Sequence, residues 1–235
     1  MAHNRDEEET SWLLATLPAA EFRRLARQLE PVWLTAGQVL HEPEQNIPYV
    51  YFPCGGLISL VTPFGEDKTV EVGLIGREGM VGLPVFLGGK DAPFRAVVHG
   101  TGQALRMPAD ELRKAVSRSR LLTDLLLRYT NAFLVQVAQT AACRSLHPVA
   151  NRYCYWLLMA HDRMGSDHLP FTQKLLAMMM AVRLASVTEA ASALRGAGLI
   201  RYTRGGINIL DRPGLEAVCC PCYRVIKKHF DRLLA

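Results

Sequence analysis

No stretch of the 235-residue chain stays apolar for the roughly 20 residues that a membrane-spanning helix requires, so no membrane partner is expected. The start, Met1 to Thr10, carries Asp6, Glu7, Glu8 and Glu9 and lacks the basic start and apolar core of a secretion signal. The expected compartment is the cytoplasm, and the acidic start reads as a disordered tail. Cysteine is scarce: six in this length are too few and too scattered for a disulfide scaffold. Histidine is scarce where a β-barrel enzyme would need it. Residues 32–107 hold only His41 and His99, far apart, which excludes the His/Glu cluster of a metal-dependent barrel enzyme. No Gly-x-Ser-x-Gly nucleophile motif is present either, and no enzymatic activity is expected.

Charge is present but unevenly placed. The net charge is +5, yet residues 1–145 hold 15 Lys+Arg against 16 Asp+Glu, whereas residues 146–235 hold 12 against 6. The basic excess lies in the last ninety residues, where contact with a phosphate backbone would need it. Solubility alone would explain the same excess, so charge does not decide the function.

The apolar pattern divides the chain. Trp12, Leu13, Leu17, Leu25 and Leu29 are spaced for a helical face, with Pro18 starting a second helical piece. From Val32 to Met107 short apolar stretches follow one another: 32–34, 39–40, 49–52, 57–61, 69–74, 81–86, 96–98 and 104–107. Turn signals such as Gly55-Gly56, Pro63 to Asp67 and Gly88 to Asp91 separate them. This spacing predicts an antiparallel sandwich or barrel. A short amphipathic piece at 110–118 precedes a long helix, Leu121 to Ser145, free of Gly and Pro. It is apolar on more than one side, so it must be covered on more than one side. One side can pack on the barrel, and the simplest cover for the other is the same helix of a second subunit. The expected dimer contacts are Leu122, Leu125, Leu126, Tyr129, Phe133 and Val137. Leu146-His147-Pro148 then breaks the helix and marks a candidate hinge, after which a helix runs from Val149 to about Arg163.

The segment from Phe171 to Leu210 is the most informative. Thr172 can cap a helix through Met180, a shift in spacing at Ala181-Val182-Arg183 marks a turn, and a second helix has Val187, Ala190, Ala191 and Leu194 on its inner face. Gly196 and Gly198 close it, two short strands follow, and Arg204-Gly205-Gly206 turns between them. Helix, turn, helix and hairpin make a winged helix-turn-helix. The run of three methionines, Met178 to Met180, is expected to fill core behind the first helix.

The sequence from Phe171 to Arg183, with Ala185 to Thr188, Leu194 to Ile200 and Asp211 to Glu216, resembles the DNA-binding domain of the Crp/Fnr regulators. Upstream, Gly55 to Leu60 resembles a barrel strand of that family, and Gly79-Met80-Val81-Gly82-Leu83 falls where the family has its nucleotide-pocket motif. The resemblance covers about residues 20–220. It implies an α+β fold: an N-terminal antiparallel jelly-roll sensor barrel, a long dimerisation helix and a C-terminal winged helix-turn-helix. The expected divisions are 1–20 for the tail and first helix start, 21–120 for the barrel, 121–145 for the dimer helix and 146–235 for DNA binding. The implied function is a homodimeric transcription regulator on an inverted-repeat operator. Double-stranded DNA and a small-molecule effector are its partners, and RNA polymerase is a further candidate. An effector-binding module acting on a protein partner is the alternative.

Carried over position by position, the resemblance assigns DNA contacts to Thr172, Gln173, Arg183, Leu184, Ala185, Ser186, Thr188, Glu189 and Arg204. The family's base-reading Arg, Glu and Arg are absent as types at Leu184, Ala185 and Glu189. Leu184 and Ala185 can touch only a thymine methyl, whereas Glu189 can accept from cytosine. The effector pocket falls on Gly79, Met80, Val81, Gly82, Leu83, Arg95 and Ala96. Met80 stands where cAMP-binding members have the ribose-binding Glu, and Arg95 lies one place beyond the phosphate-binding Arg, which turns it to the other face of a strand. Cyclic nucleotide is therefore not the expected effector, and no cofactor is predicted.

Residues 1–30 contain no cysteine, so the N-terminal iron–sulfur chemistry of the oxygen-sensing branch is not expected. Cys219, Cys220 and Cys222, with His229 beyond, have poor spacing for zinc within one short segment. They read as a helix-start group, with no metal site expected. Cys54, Cys143 and Cys154 read as small buried residues, and no motif supports haem ligation by His41, His99 or His147.

Overall fold

The computed structural model describes residues 10–64 and 68–235. The acidic start at residues 6–9 lies outside them. Two short helices, α1 (Trp12–Ala15) and α2 (Ala19–Ala26), are separated at Pro18, as the spacing predicts. Seven strands follow: β1 (Glu30–Leu34), β2 (Val39–His41), β3 (Tyr49–Pro53), β4 (Leu57–Phe64), β5 (Lys68–Ile75), β6 (Arg95–Gly100) and β7 (Gly102–Pro108). They build two antiparallel sheets, ordered β1-β7-β3 and β2-β6-β4-β5. Alternation decides what points inward. On β6, Ala96 and Val98 are fully buried while Arg95 is exposed. One expected strand is a helix instead: Leu83–Phe86 forms the single turn α3. Gly82 starts it in the left-handed region (φ 97°), and Pro84 suits a first helical turn but cannot donate to a ladder.

The barrel leads into α4 (Ala109–Arg118) and the 27-residue α5 (Arg120–Leu146). The Ser119 hydroxyl caps α5, accepting the Leu122 N–H at 3.2 Å, and Pro148 ends it. Leu122, Leu125, Leu126, Tyr129 and Phe133 are buried within the chain itself, Tyr129 and Phe133 against the barrel. Tyr129 donates to the Met80 carbonyl (3.1 Å) and Gln136 to that of Leu74 (2.9 Å). Gly73 on β5 is required here, because a Cβ would lie 2.7 Å from the Phe133 ring. This corrects the expected dimer contacts. The broad apolar face covers the barrel, and Val137 is partly buried beside it. The face left free carries Leu127 and Leu134, 51% and 64% exposed.

The remainder is α6 (Val149–Met164), β8 (His168–Leu169), α7 (Gln173–Met180), α8 (Leu184–Gly196), β9 (Ile200–Thr203), β10 (Gly206–Ile209), α9 (Arg212–Val218) and α10 (Cys222–Leu234). The three strands pair in the order β8-β10-β9. Gly206 (φ 152°) is indispensable, since a Cβ would lie 2.1 Å from the Leu169 carbonyl oxygen. Met179 and Met180 fill core as expected, but Met178 is exposed. Among the described residues no single helix is long and apolar enough to cross a membrane.

Buried polar groups register the two parts against each other. Arg163 of α6, 4% exposed, pairs with Glu78 (2.8 Å), donates to Gln136 of α5 (2.6 Å) and lies over the Phe230 ring of α10 (5.4 Å). Gly76 permits this, because a Cβ there would meet the Arg163 side chain at 2.6 Å. Nearby, Glu71 of β5 accepts from Ser59 (2.6 Å) and from the Trp156 indole of α6 (3.0 Å). Burial pushes its carboxyl up to about 7, against the lowering effect of both hydrogen bonds.

A raised folded-state pKa means that the folded protein holds this proton more tightly than the unfolded chain. The stabilisation is complete below the ordinary carboxyl range and is lost as pH rises to about 7. Glu71→Gln removes the penalty of a buried carboxylate, on the order of 3 kcal/mol at full ionisation. The variant should be more stable than the parent at pH 8 and about equal at pH 5. Thermal unfolding at the two pH values checks this; equal differences at both would refute it.

Ala181, in the turn between α7 and α8, holds a left-handed conformation (φ 54°, ψ 50°) that costs a residue with a Cβ roughly 1–2 kcal/mol. Glycine has no such strain but loses more backbone entropy on folding, about 0.5–1 kcal/mol. Ala181→Gly is therefore expected to raise the urea midpoint by an equivalent of about 0.5–1 kcal/mol; a lower midpoint would show that the strain is absent.

Candidate nucleic-acid interface and effector pocket

Helices α7 and α8 meet at 116°. The Thr172 hydroxyl caps α7 by accepting the Leu175 N–H (3.2 Å). At the other end of α7, Arg144 of α5 donates to the Met179 carbonyl (2.9 Å) and Arg152 of α6 to that of Met180 (2.5 Å). Two guanidinium groups thus satisfy the negative end of the first helix and tie it to the chain's scaffold.

Val187, Ala190, Ala191 and Leu194 bury the inner face of α8. Leu184, Ala185, Thr188 and Glu189 are exposed on its other side, with Ser186 partly buried. Thr188 donates to the Gln173 side chain (2.7 Å), which brings those two predicted residues together. Arg183 occupies the N-cap position of α8 without a side-chain cap bond, so an exposed cation sits beside the first N–H groups of the helix. Arg204 lies apart, exposed at the turn between β9 and β10. Lys174, Arg183, Arg201 and Arg204 are all exposed, and none forms an ion pair among the described residues. The surface around α8 therefore offers cations that no carboxylate has neutralised.

The cavity in this region overlaps the expected effector pocket only in part. It has a volume of about 450 Å³ and lies between the barrel and α5. Met80, Gly82 and Leu83 line it, but Gly79, Val81, Arg95 and Ala96 do not. Val81 is fixed instead in a bridge to Tyr51, and Gly79 packs under Tyr129. Arg95 points outward and pairs with Glu42 (2.7 Å). Among the lining residues missed are those of α5: Tyr129, Thr130, Phe133, Leu134 and Val137. Their broad apolar face was the available signal. No Lys, Arg, Asp or Glu lines this cavity. His41 does, but burial lowers its pKa and leaves the imidazole neutral at pH 7, with Nε2 hydrogen-bonded to the Tyr49 carbonyl (2.8 Å). Thr130 spends its hydroxyl on the Leu126 carbonyl (2.7 Å). The arrangement suits an uncharged apolar molecule and provides no cation for a cyclic phosphate.

The cysteines group differently from their sequence spacing. Cys220 and Cys222 meet Cys143 and His147 of the distant α5 terminus, and His229 is not among them. Cys54 and Cys154 are buried, as their composition class predicts.

Comparison with known proteins agrees with this architecture. The cyclic nucleotide-binding domain family matches residues 31–119, and the Crp-like helix-turn-helix domain family matches residues 151–218. FixK2 from Bradyrhizobium japonicum superposes with a TM-score of 0.71 at 15% identity, over 82% of this chain and 98% of that one. A CRP-family transcriptional regulator from Thermus thermophilus superposes with a TM-score of 0.65 at 16% identity, over 80% and 95%. The c-di-GMP responsive global regulator CLP of Xanthomonas campestris superposes with a TM-score of 0.62 at 13% identity, over 83% and 100%. No curated protein matches the chain in sequence. A cyclic nucleotide-binding-type barrel, a long connecting helix and a Crp-like helix-turn-helix in that order place this chain in the Crp/Fnr family of transcription regulators, which are not enzymes.

Proposed function

We propose that the protein is a homodimeric regulator that reads an inverted-repeat DNA site and answers to an uncharged apolar effector. The exposed outer face of α8, flanked by unneutralised cations, carries the DNA-binding reading. Arg183, Ser186, Thr172, Gln173 and Arg204 hold phosphates, while Leu184, Ala185, Thr188 and Glu189 face the bases.

Support for the dimer comes from the free face of α5. Asp124, Leu127, Asn131, Leu134, Ala138, Ala141 and Ser145 are all exposed and alternate at intervals of four and three, the repeat of a two-stranded coiled coil. Leu127 and Leu134 are the large apolar members of this stripe, one heptad apart. Two such helices would set two α8 helices into successive major grooves, roughly 34 Å apart. Leu134 belongs both to this stripe and to the cavity wall, so filling the cavity shifts the population of DNA-competent pairings. The break at His147-Pro148 is where the two heads would reorient. RNA polymerase is a further partner on this reading.

Selection of random duplexes by the purified protein, at two salt concentrations, is expected to enrich an inverted repeat. Arg183→Ala should weaken all sequences alike and reduce the salt slope by about 1. Leu127→Arg should give monomers by sedimentation and cost at least about tenfold in DNA affinity, or 1.4 kcal/mol. Absence of any binding at low salt would reject the reading and leave a module for a protein partner.

Millimolar cAMP is expected to leave both the melting temperature and DNA affinity unchanged, because a ligand stabilises only as far as it binds the folded state. A saturable rise in melting temperature with cAMP would overturn the assignment of an apolar effector.

A further inference from the structure

We propose that Cys143, His147, Cys220 and Cys222 form a tetrahedral site for one zinc ion, which fastens the start of α10 to the last turn of α5. Their four ligand atoms all lie within 4.8 Å of one another. Cys143 Sγ and Cys220 Sγ are 3.5 Å apart, as are Cys222 Sγ and His147 Nδ1. Zinc bonds of ~2.3 Å to sulfur and ~2.0–2.1 Å to nitrogen place ligands about 3.5–3.8 Å apart at the corners of a tetrahedron. The group therefore has the size of a single ion. An iron–sulfur cluster interposes several irons and sulfides, and needs its ligands more widely spread than this.

The chain builds the site from two segments. Cys143 and His147 are one helical turn apart, and the His147 N–H bonds the Cys143 carbonyl (3.0 Å), which keeps both on one face. Cys220 and Cys222 flank Pro221 at the head of the 13-residue α10, whose positive end favours thiolates. The three cysteines are buried, at 2%, 4% and 1% exposure. Gln139, one turn before Cys143, donates to Cys222 Sγ (3.2 Å), a support of the kind that orients metal-bound sulfur. Cys219 lies outside the four-atom group.

The three thiols and the imidazole already pair with one another, Cys143 with Cys220 and Cys222 with His147. A divalent ion replaces three protons and satisfies all four groups at once. The site lies at the break between α5 and α6, so the ion would clamp the C-terminal helix across the junction between the dimer helix and the DNA-binding part.

Elemental analysis of the full chain, purified under reducing conditions, is expected to find roughly one zinc per chain. Cys222→Ser and His147→Ala should lose most of that zinc, whereas Cys219→Ser and His229→Gln should keep it. Circular dichroism establishes that each variant is folded. Should the ligand variants fail to fold, Co2+ added to the chelator-treated parent decides the matter. The intense visible bands of a tetrahedral thiolate site, saturating at one equivalent, support the proposal. Their absence from a zinc-free protein overturns it. So does a brown iron–sulfur chromophore, equal zinc loss in the control variants, or a Cys143–Cys220 disulfide in the reduced preparation.

Discussion

The buried guanidinium of Arg163 is the contact on which the arrangement of the two halves depends. A charge at 4% exposure is tolerable only when it is paired and hydrogen-bonded, and its partners come from both sides of the chain's main division. Glu78 belongs to the barrel, Gln136 to the long helix, Met159 to its own helix, and the Phe230 ring to the C-terminal helix. Any rotation of the DNA-binding part against the barrel would strip at least one of these away. Such a pair adds little net stability over an apolar replacement, but removing one partner costs several kcal/mol. Its contribution is therefore orientation more than strength. Glu71 works beside it through Trp156, with the difference that its proton comes and goes near neutral pH. The interface between sensor and reader thus has one fixed polar contact and one that responds to pH.

This explains which features were legible in the sequence. The change from short apolar stretches between turn signals before Met107 to helical spacing after Ala109 marked the boundary between barrel and helices. The cap at Thr172 and the inner face of α8 were equally readable, since both are local. The two faces of α5 were not assigned correctly from spacing alone. Both are apolar, and the richer one was given to the partner. A barrel needs the wider, aromatic-bearing face, here Tyr129 and Phe133 against Gly79 and Gly73. The narrower stripe through Leu127 and Leu134 is left exposed. The strand expected at 81–86 failed for a local reason: Gly82 and Pro84 turn the backbone into one helical turn.

The pocket shows the same division between local and long-range information. Strand alternation placed Arg95 on the outer face, and its ion pair with Glu42 is the result. Met80 at the cavity wall was readable from motif position. The apolar face of α5 was visible in the sequence, but not that it forms the opposite wall, some fifty residues downstream of Met80. That wall completes an apolar chamber, and Leu134 lies both on it and on the exposed face of α5.

The cysteines carry this argument furthest. Read along the chain, Cys220-Pro221-Cys222 offers two ligands in poor spacing, and the nearest histidine is His229. Cys143 is 77 residues away and reads as a buried apolar residue. Folding α10 back along α5 brings the two pairs together, and the pair on α5 has the one-turn spacing that a tetrahedral ion accepts. The same helix terminus sends Arg144 to the end of α7. The last turn of α5 is therefore held on one side by the four-ligand group and on the other by the first helix of the DNA-binding motif. Gln136 of α5, further up the helix, reaches the DNA-binding part through Arg163 of α6. Pinning α10 at the last turn of α5 makes the break at His147-Pro148 a joint with a defined axis, because the chain on both sides of it is fastened to the same short piece of helix.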